Sequence, residues 1–265
     1  MKDRISIEIK DHIADVRLNR PDKMNALDDA MFAAIIEVGE VIENDPDIWC
    51  VVFSGEGKAF CAGLDLSSFS NPDSAVNNAS LAERTHGICN KYQKVSYQWR
   101  AMKVPVIAAV HHTCYGGGVQ LISGADIRVV DPACRMSIME IRWGIIPDMG
   151  GSQLLRHYMR DDVLRELSYT ARVFDGRQAQ EYGLATHVSE DPHAKAMDIA
   201  LEITARNPDA VQSIKTLYND APYVSIADGY LQESHLQQPI LASPNQLEAV
   251  YSQMQKRPAN FSNPK

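Results

Sequence analysis

Two carboxylates and two glycine turns are the residues of this chain whose types and spacing could do chemistry. Gly116-Gly117-Gly118 follows an apolar run and precedes Val119 to Ile122, a segment able to start a helix. Glycines there would aim backbone N–H groups, and the positive end of a helix dipole, at an anion or a developing oxyanion. Gly63-Leu64 supplies a second donor on an equivalent turn, and two such donors make an oxyanion hole. Removing one donor from such a hole slows a reaction about a hundred- to thousand-fold. Glu140 stands in the apolar segment Ser137-Ile138-Met139-Glu140-Ile141, where burial would raise its pKa toward that of a useful base. A buried salt bridge with Arg142 or Arg128 accounts for it equally well from spacing alone. Asp148, eight residues on, lies between Pro147 and Met149-Gly150-Gly151. It reads either as a second carboxylate of the same pocket or as the cap of the next helix. Gln120, one turn past Gly117, faces the glycine amides; an amide hydrogen-bonds but exchanges no proton at neutral pH.

Other groups carry less. The tandem His111-His112 has no third ligand nearby, so no metal site is expected. Trp143, Met139, Met149 and Tyr115 either belong to the core or line a pocket beside Glu140. There is no G-x-S-x-G elbow and no Walker or Rossmann pattern, which removes serine nucleophiles and dinucleotide binding.

These residues need a scaffold, and 265 residues suffice for one large domain, or one with an appendage, with a full core. The five cysteines are odd in number and contain no C-x-x-C pair, so they read as reduced, mostly buried thiols. The first eleven residues are charged and alternating rather than a signal peptide, and no apolar run is long enough to span a bilayer. A cytoplasmic protein is the expectation. A net charge of −8 and a pI near 5.5 disfavour nucleic-acid binding, which needs a basic surface.

Ile5, Ile7 and Ile9 alternate with polar residues and residues 13–18 resume a strand, which predicts an initial hairpin. Met31, Ile35, Val38 and Ile42 recur at helical spacing across residues 28–43, with Asp28 as a cap, and residues 48–53 form an apolar strand. Strand, helix, strand implies a parallel sheet. Residues 67–82 are polar and aperiodic and read as a mobile loop or lid. A helix over 84–102 leads to a second buried strand at 104–110 and then the triple glycine, so helix, strand and glycine turn occur twice. Short strands are expected at 127–130, 135–138 and 186–189, and a capping box at Asp175 and Gln178. Beyond Asp191 the chain is helical. Residues 1–190 are therefore expected to form one core and 191–265 a helical region.

Taken together, these motifs resemble the crotonase superfamily, the enoyl-CoA hydratase and isomerase family. The resemblance rests on Leu18-Asn19-Arg20-Pro21 through Asn25-Ala26-Leu27, on 58–66 (KAFCAGLDL), on the triple glycine, on residues 140–151 and on 256–261 (KRPANF). It implies an α/β fold of repeated ββα units in a spiral. The helical C-terminal region would mediate trimers, often paired into hexamers. It also implies an acyl-CoA ligand, with coenzyme A arriving as part of the substrate rather than as a bound cofactor. The oxyanion hole falls on the amides of Leu64 and Gly117, and Lys23, Met24, Ala62, Asp65 and Leu66 would contact coenzyme A, with Lys256 reaching its phosphates. The family's hydratases manage one water with two glutamates, one at Glu140 and one where Gln120 stands here. The pair Glu140 and Asp148 instead resembles the carboxylates of the dienoyl-CoA isomerases, although those carry Asp at the Gln120 position. Isomerisation of an enoyl- or dienoyl-CoA is thus expected, with hydration and non-catalytic acyl-CoA binding as alternatives. On the isomerase reading, Gln120→Glu should add hydratase activity. An RNA-binding relative would need a basic face that this acidic chain lacks.

Overall fold

The computed structural model describes residues 3–67 and 80–264, so most of the segment read as a loop or lid lies outside the described residues. Strands β1 (Ile5–Lys10) and β2 (Ile13–Leu18) form the expected antiparallel hairpin. Asp11 and His12 turn it with φ of 52° and 63°, the left-handed pair that a two-residue hairpin loop requires. Helix α1 (Asp29–Glu43) starts where Asp28 accepts the Met31 N–H at 2.8 Å, and it buries Met31, Ile35, Val38 and Ile42. Strands β3 (Cys50–Gly55) and β4 (Val106–Val110) join in parallel, almost wholly buried, as their unbroken apolar runs require.

Between them, helix α2 (Lys91–Ala101) is shorter than the helix expected over 84–102. Asn90 is the reason: its side chain accepts the Gln93 N–H at 2.9 Å while Gln93 accepts the Asn90 N–H at 3.0 Å. That capping box sets the start, and Gly87 at φ 68° keeps the preceding residues in a turn. The chain continues through β5 (Thr113–Tyr115), α3 (Gly117–Ser123), β6 (Ile127–Val130), β7 (Arg135–Ser137), α4 (Gly151–Leu154), α5 (Asp161–Thr170), α6 (Gly176–Glu181) and β8 (His187–Val188). Six strands form one sheet in the order β1-β2-β3-β4-β6-β8, parallel after the first hairpin, while β5 and β7 pair separately in parallel.

Alternation along β3 and β4 sends side chains to both faces of the sheet. Val51, Phe53, Val106 and Ala108 enter the larger core with Phe32, Ile35, Val95 and Trp99 of α1 and α2. Cys50, Val52, Ile107 and Ala109 face the other way, covered by Ala196 and Ala200 of helix α7 (Pro192–Thr204). Helices α8 (Pro208–Asp220), α9 (Ile226–Gln237) and α10 (Pro244–Gln255) complete the chain. Lys215 fastens α8 to the core: its buried ammonium donates to Trp99 O at 2.8 Å, Val104 O at 2.9 Å and the Asp126 carboxylate at 2.7 Å. All five cysteines are free and buried. No helix among the described residues is long and apolar enough to cross a membrane.

Candidate active site

The two glycine turns lie side by side because the backbone zips them together. Cys61 N–H donates to Thr113 O at 3.1 Å and Tyr115 N–H returns to Cys61 O at 3.0 Å, a parallel bridge between Cys61 and Cys114. On the other flank, Leu27 N–H donates to Gly63 O at 2.8 Å and Asp65 N–H to Leu27 O at 3.0 Å. Gly63 bends at φ +93°, and a Cβ there would stand 2.9 Å from Tyr115 O and 3.7 Å from Gly117 N. Leu64 and Gly117 therefore emerge as neighbours. Gly117 opens α3, so its N–H has no acceptor within the helix. The three glycines answer different demands. Gly116 takes φ 49°, a Cβ on Gly117 would come within 2.9 Å of Leu27 Cδ1, and one on Gly118 within 2.9 Å of Cys61 O.

Opposite these turns, Glu140 opens a 3₁₀ turn (Glu140–Trp143) and is 7% exposed. The salt-bridge explanation for it does not hold. Arg128 spends its guanidinium on the carbonyls of Leu184 and Ala125 and stacks over the Tyr158 ring, and Arg142 is exposed. Glu140 Oε1 instead accepts from Gln120 Nε2 at 2.5 Å, while its buried Oε2 has no hydrogen-bond partner. Burial pushes the Glu140 pKa up, hydrogen bonds from nearby backbone N–H groups and Gln120 pull it back, and the Asp148 charge adds to the rise. Asp148 is not a helix cap, since Gly150 occupies the cap position of α4 without a side-chain bond. Burial raises its pKa as well. Among the described residues no cation pairs with either carboxylate.

One cavity of about 860 Å³ gathers Leu64, Gly117, Gln120, Glu140 and Asp148, and Ala62 and Leu66 line it as well. Tyr115, Met139, Trp143 and Met149 form apolar wall. The remaining positions assigned to coenzyme A stand outside that lining. Lys23 ends an exposed 3₁₀ turn (Pro21–Lys23), and Met24, 48% exposed, accepts the Ala62 N–H at 2.9 Å. Asp65 accepts hydrogen bonds from Ser67 and is ion-paired to Arg20 at 2.7 Å, which together hold its pKa down at about 2. Lys256 closes α10 in the left-handed conformation, exposed. His111 bonds the Gly57 carbonyl at 3.1 Å. Sequence reasoning missed Phe32 and Tyr92, whose rings meet edge-on at 5.0 Å in the wall, because they arrive on helices α1 and α2 far from any motif.

A cavity flanked by two backbone turns and faced by the buried Glu140 and the half-buried Asp148 is equipped to move protons beside a carbonyl. Residues 8–264 match the family model for enoyl-CoA hydratase/isomerase. The chain belongs to this family. The mitochondrial Delta(3,5)-Delta(2,4)-dienoyl-CoA isomerase of Mus musculus is 31% identical, across 93% of this chain and 77% of its own length. Enoyl-CoA hydratase EchA19 of Mycobacterium tuberculosis is 29% identical, across 97% and 96%. Among solved structures, the enoyl-CoA hydratase from Bacillus anthracis superposes with a TM-score of 0.89 at 25% identity, covering 97% of this chain and 98% of that one. The fold is thus the crotonase fold, and relatives named for both activities stand at nearly equal identity.

Proposed function

We propose that this enzyme moves a double bond along an enoyl- or dienoyl-CoA thioester. The observation that carries the reading is the pair Glu140 and Asp148: both line one cavity, both are raised by burial, and neither is committed to a cation. The thioester oxygen would sit between the N–H groups of Leu64 and Gly117, which stabilise it as the enolate develops. Glu140 takes the proton from one end of the unsaturated system and the electrons shift along it. Asp148 delivers a proton to the far end. The acid and base then exchange protonation states, and no water is consumed. In support, Gln120 touches Glu140 directly at 2.5 Å, which leaves no room for a water held between those two side chains.

Coenzyme A would approach over Ala62 and Leu66, with Met24 held beside Ala62 by its carbonyl; Lys23, Asp65 and Lys256 are proposed to serve its polar parts. The chain would work as a homotrimer or a pair of trimers, since α9 buries none of its residues and leaves Ile226 and Tyr230 exposed. The second reading, hydration of a 2-enoyl-CoA with Gln120 orienting a water for Glu140, draws on the hydratase relatives. Assaying one preparation with 2-enoyl-CoA for hydration, and with 3-enoyl- and 3,5-dienoyl-CoA for double-bond migration, tests the proposal. Migration at least tenfold faster than hydration supports isomerisation, the reverse ratio supports hydration, and no turnover leaves a non-catalytic binder.

A further inference from the structure

Gln120 joins three segments through one amide. Its Oε1 accepts from Met149 N–H at 2.8 Å and Gly151 N–H at 3.1 Å, and its Nε2 donates to Glu140 Oε1 at 2.5 Å. Only one orientation satisfies these partners: turned over, the NH₂ would face two N–H donors and the carbonyl would face a carboxylate. Gly151 accommodates the contact, since a Cβ there would lie 2.9 Å from Gln120 Oε1. Two consequences follow. Glu140 Oε1 must remain an acceptor, so any proton on Glu140 resides on Oε2, the buried oxygen without a partner. The turn after Asp148 is anchored at Met149 and Gly151 to the same amide.

We propose that Gln120 is a positioning residue, whose amide assigns the exchangeable proton of Glu140 to Oε2 and holds the Asp148 turn in register with it. This rests on the reading of Glu140 as the acid-base group. Among the described residues, the charged group acting on Glu140 is Asp148 from the 147–151 turn; α3 contributes the neutral Gln120, and the 3₁₀ turn its own backbone amides. A carboxylate at position 120 is not an equivalent part. One of its oxygens could still accept the two N–H groups, but the other would oppose Glu140 Oε1 as acceptor against acceptor. Such a pair keeps a shared proton and titrates as a coupled unit.

The test compares wild type, Gln120→Glu and Gln120→Met in the full-length protein. Titration of the Glu140 carboxyl is followed by difference infrared spectroscopy, assigned by its loss in Glu140→Gln. Exchange of the α-protons of a saturated acyl-CoA in D₂O is followed over the same pH range. Gln120→Glu should move the Glu140 titration up by about one pH unit or more. Its exchange-rate limb should move with it, and KM should change less than kcat. Gln120→Met should raise the Glu140 titration through loss of the donor. An unmoved titration in Gln120→Glu overturns the proposal. That titration stands alone if Gln120→Met fails to fold. If Glu140→Gln still exchanges α-protons, the acid-base reading fails, yet the carboxyl titration still judges Gln120.

Discussion

Replacing Glu140 by glutamine should abolish proton transfer and stabilise the fold at the same time. As an ionised group, Glu140 is nearly sequestered from water, lacks a cation and leaves Oε2 unbonded. Desolvating such a carboxylate costs several kcal/mol. Against that stand the nearby backbone N–H groups and the bond from Gln120, the latter about 1.5–3 kcal/mol when charge-assisted. Glutamine keeps that bond at its neutral strength, about 0.5–1.5 kcal/mol, and removes both the buried charge and its repulsion with Asp148, while its NH₂, at the partnerless Oε2 position, costs about 1–3 kcal/mol. A net gain of about 1–3 kcal/mol is expected above neutrality. The sign with pH is defined by the upward shift. Below the unfolded glutamate pKa, near about 4.3, both states are protonated and the penalty is absent; it grows as pH rises to the folded pKa and is constant beyond. Each pH unit by which the folded pKa exceeds the unfolded one amounts to about 1.4 kcal/mol. Urea unfolding at pH 4 and pH 8, at fixed protein concentration, measures this, while α-proton exchange should fall about 10²- to 10⁴-fold. A variant less stable than wild type at pH 8, or equally stabilised at both pH values, would refute the reasoning.

Asp148→Asn should suppress double-bond migration by about 10²-fold or more while sparing α-proton exchange in a saturated acyl-CoA, which needs Glu140 alone; equal loss of both reactions would remove Asp148 from the distal role. Gly63→Ala forces a side chain to φ +93° and to 2.9 Å from Tyr115 O. It should cost about 1–3 kcal/mol in stability and lower kcat by separating the Leu64 and Gly117 turns, as thermal melts and kinetics would record. Lys215→Met removes the cation from the Asp126 carboxylate and the donor from two carbonyls, and should lose about 3–5 kcal/mol in chemical unfolding.

Much of this molecule is written in local pattern. The Asp28 cap, the left-handed hairpin turn, the Asp175 capping box and the two-faced alternation of β3 and β4 involve residues within a few positions of one another, so spacing alone reveals them. The same holds for the glycines, whose lack of a side chain announces a turn or close approach before any partner is known. Helix α2 starts at Lys91 rather than near residue 84 because the capping box at Asn90 sets its first turn. What tertiary structure decided was partnership. Arg128 was a credible mate for Glu140 until Leu184 and Ala125 claimed it, and Asp148 a credible cap until Gly150 took that place. Gln120 is the clearest case. Its residue type says only that it can donate and accept, whereas its orientation depends on Glu140, Met149 and Gly151, twenty to thirty-one residues away. Hydrogen-bond direction at a buried amide is set by which donors and acceptors converge on it, and that convergence exists only once the chain has folded.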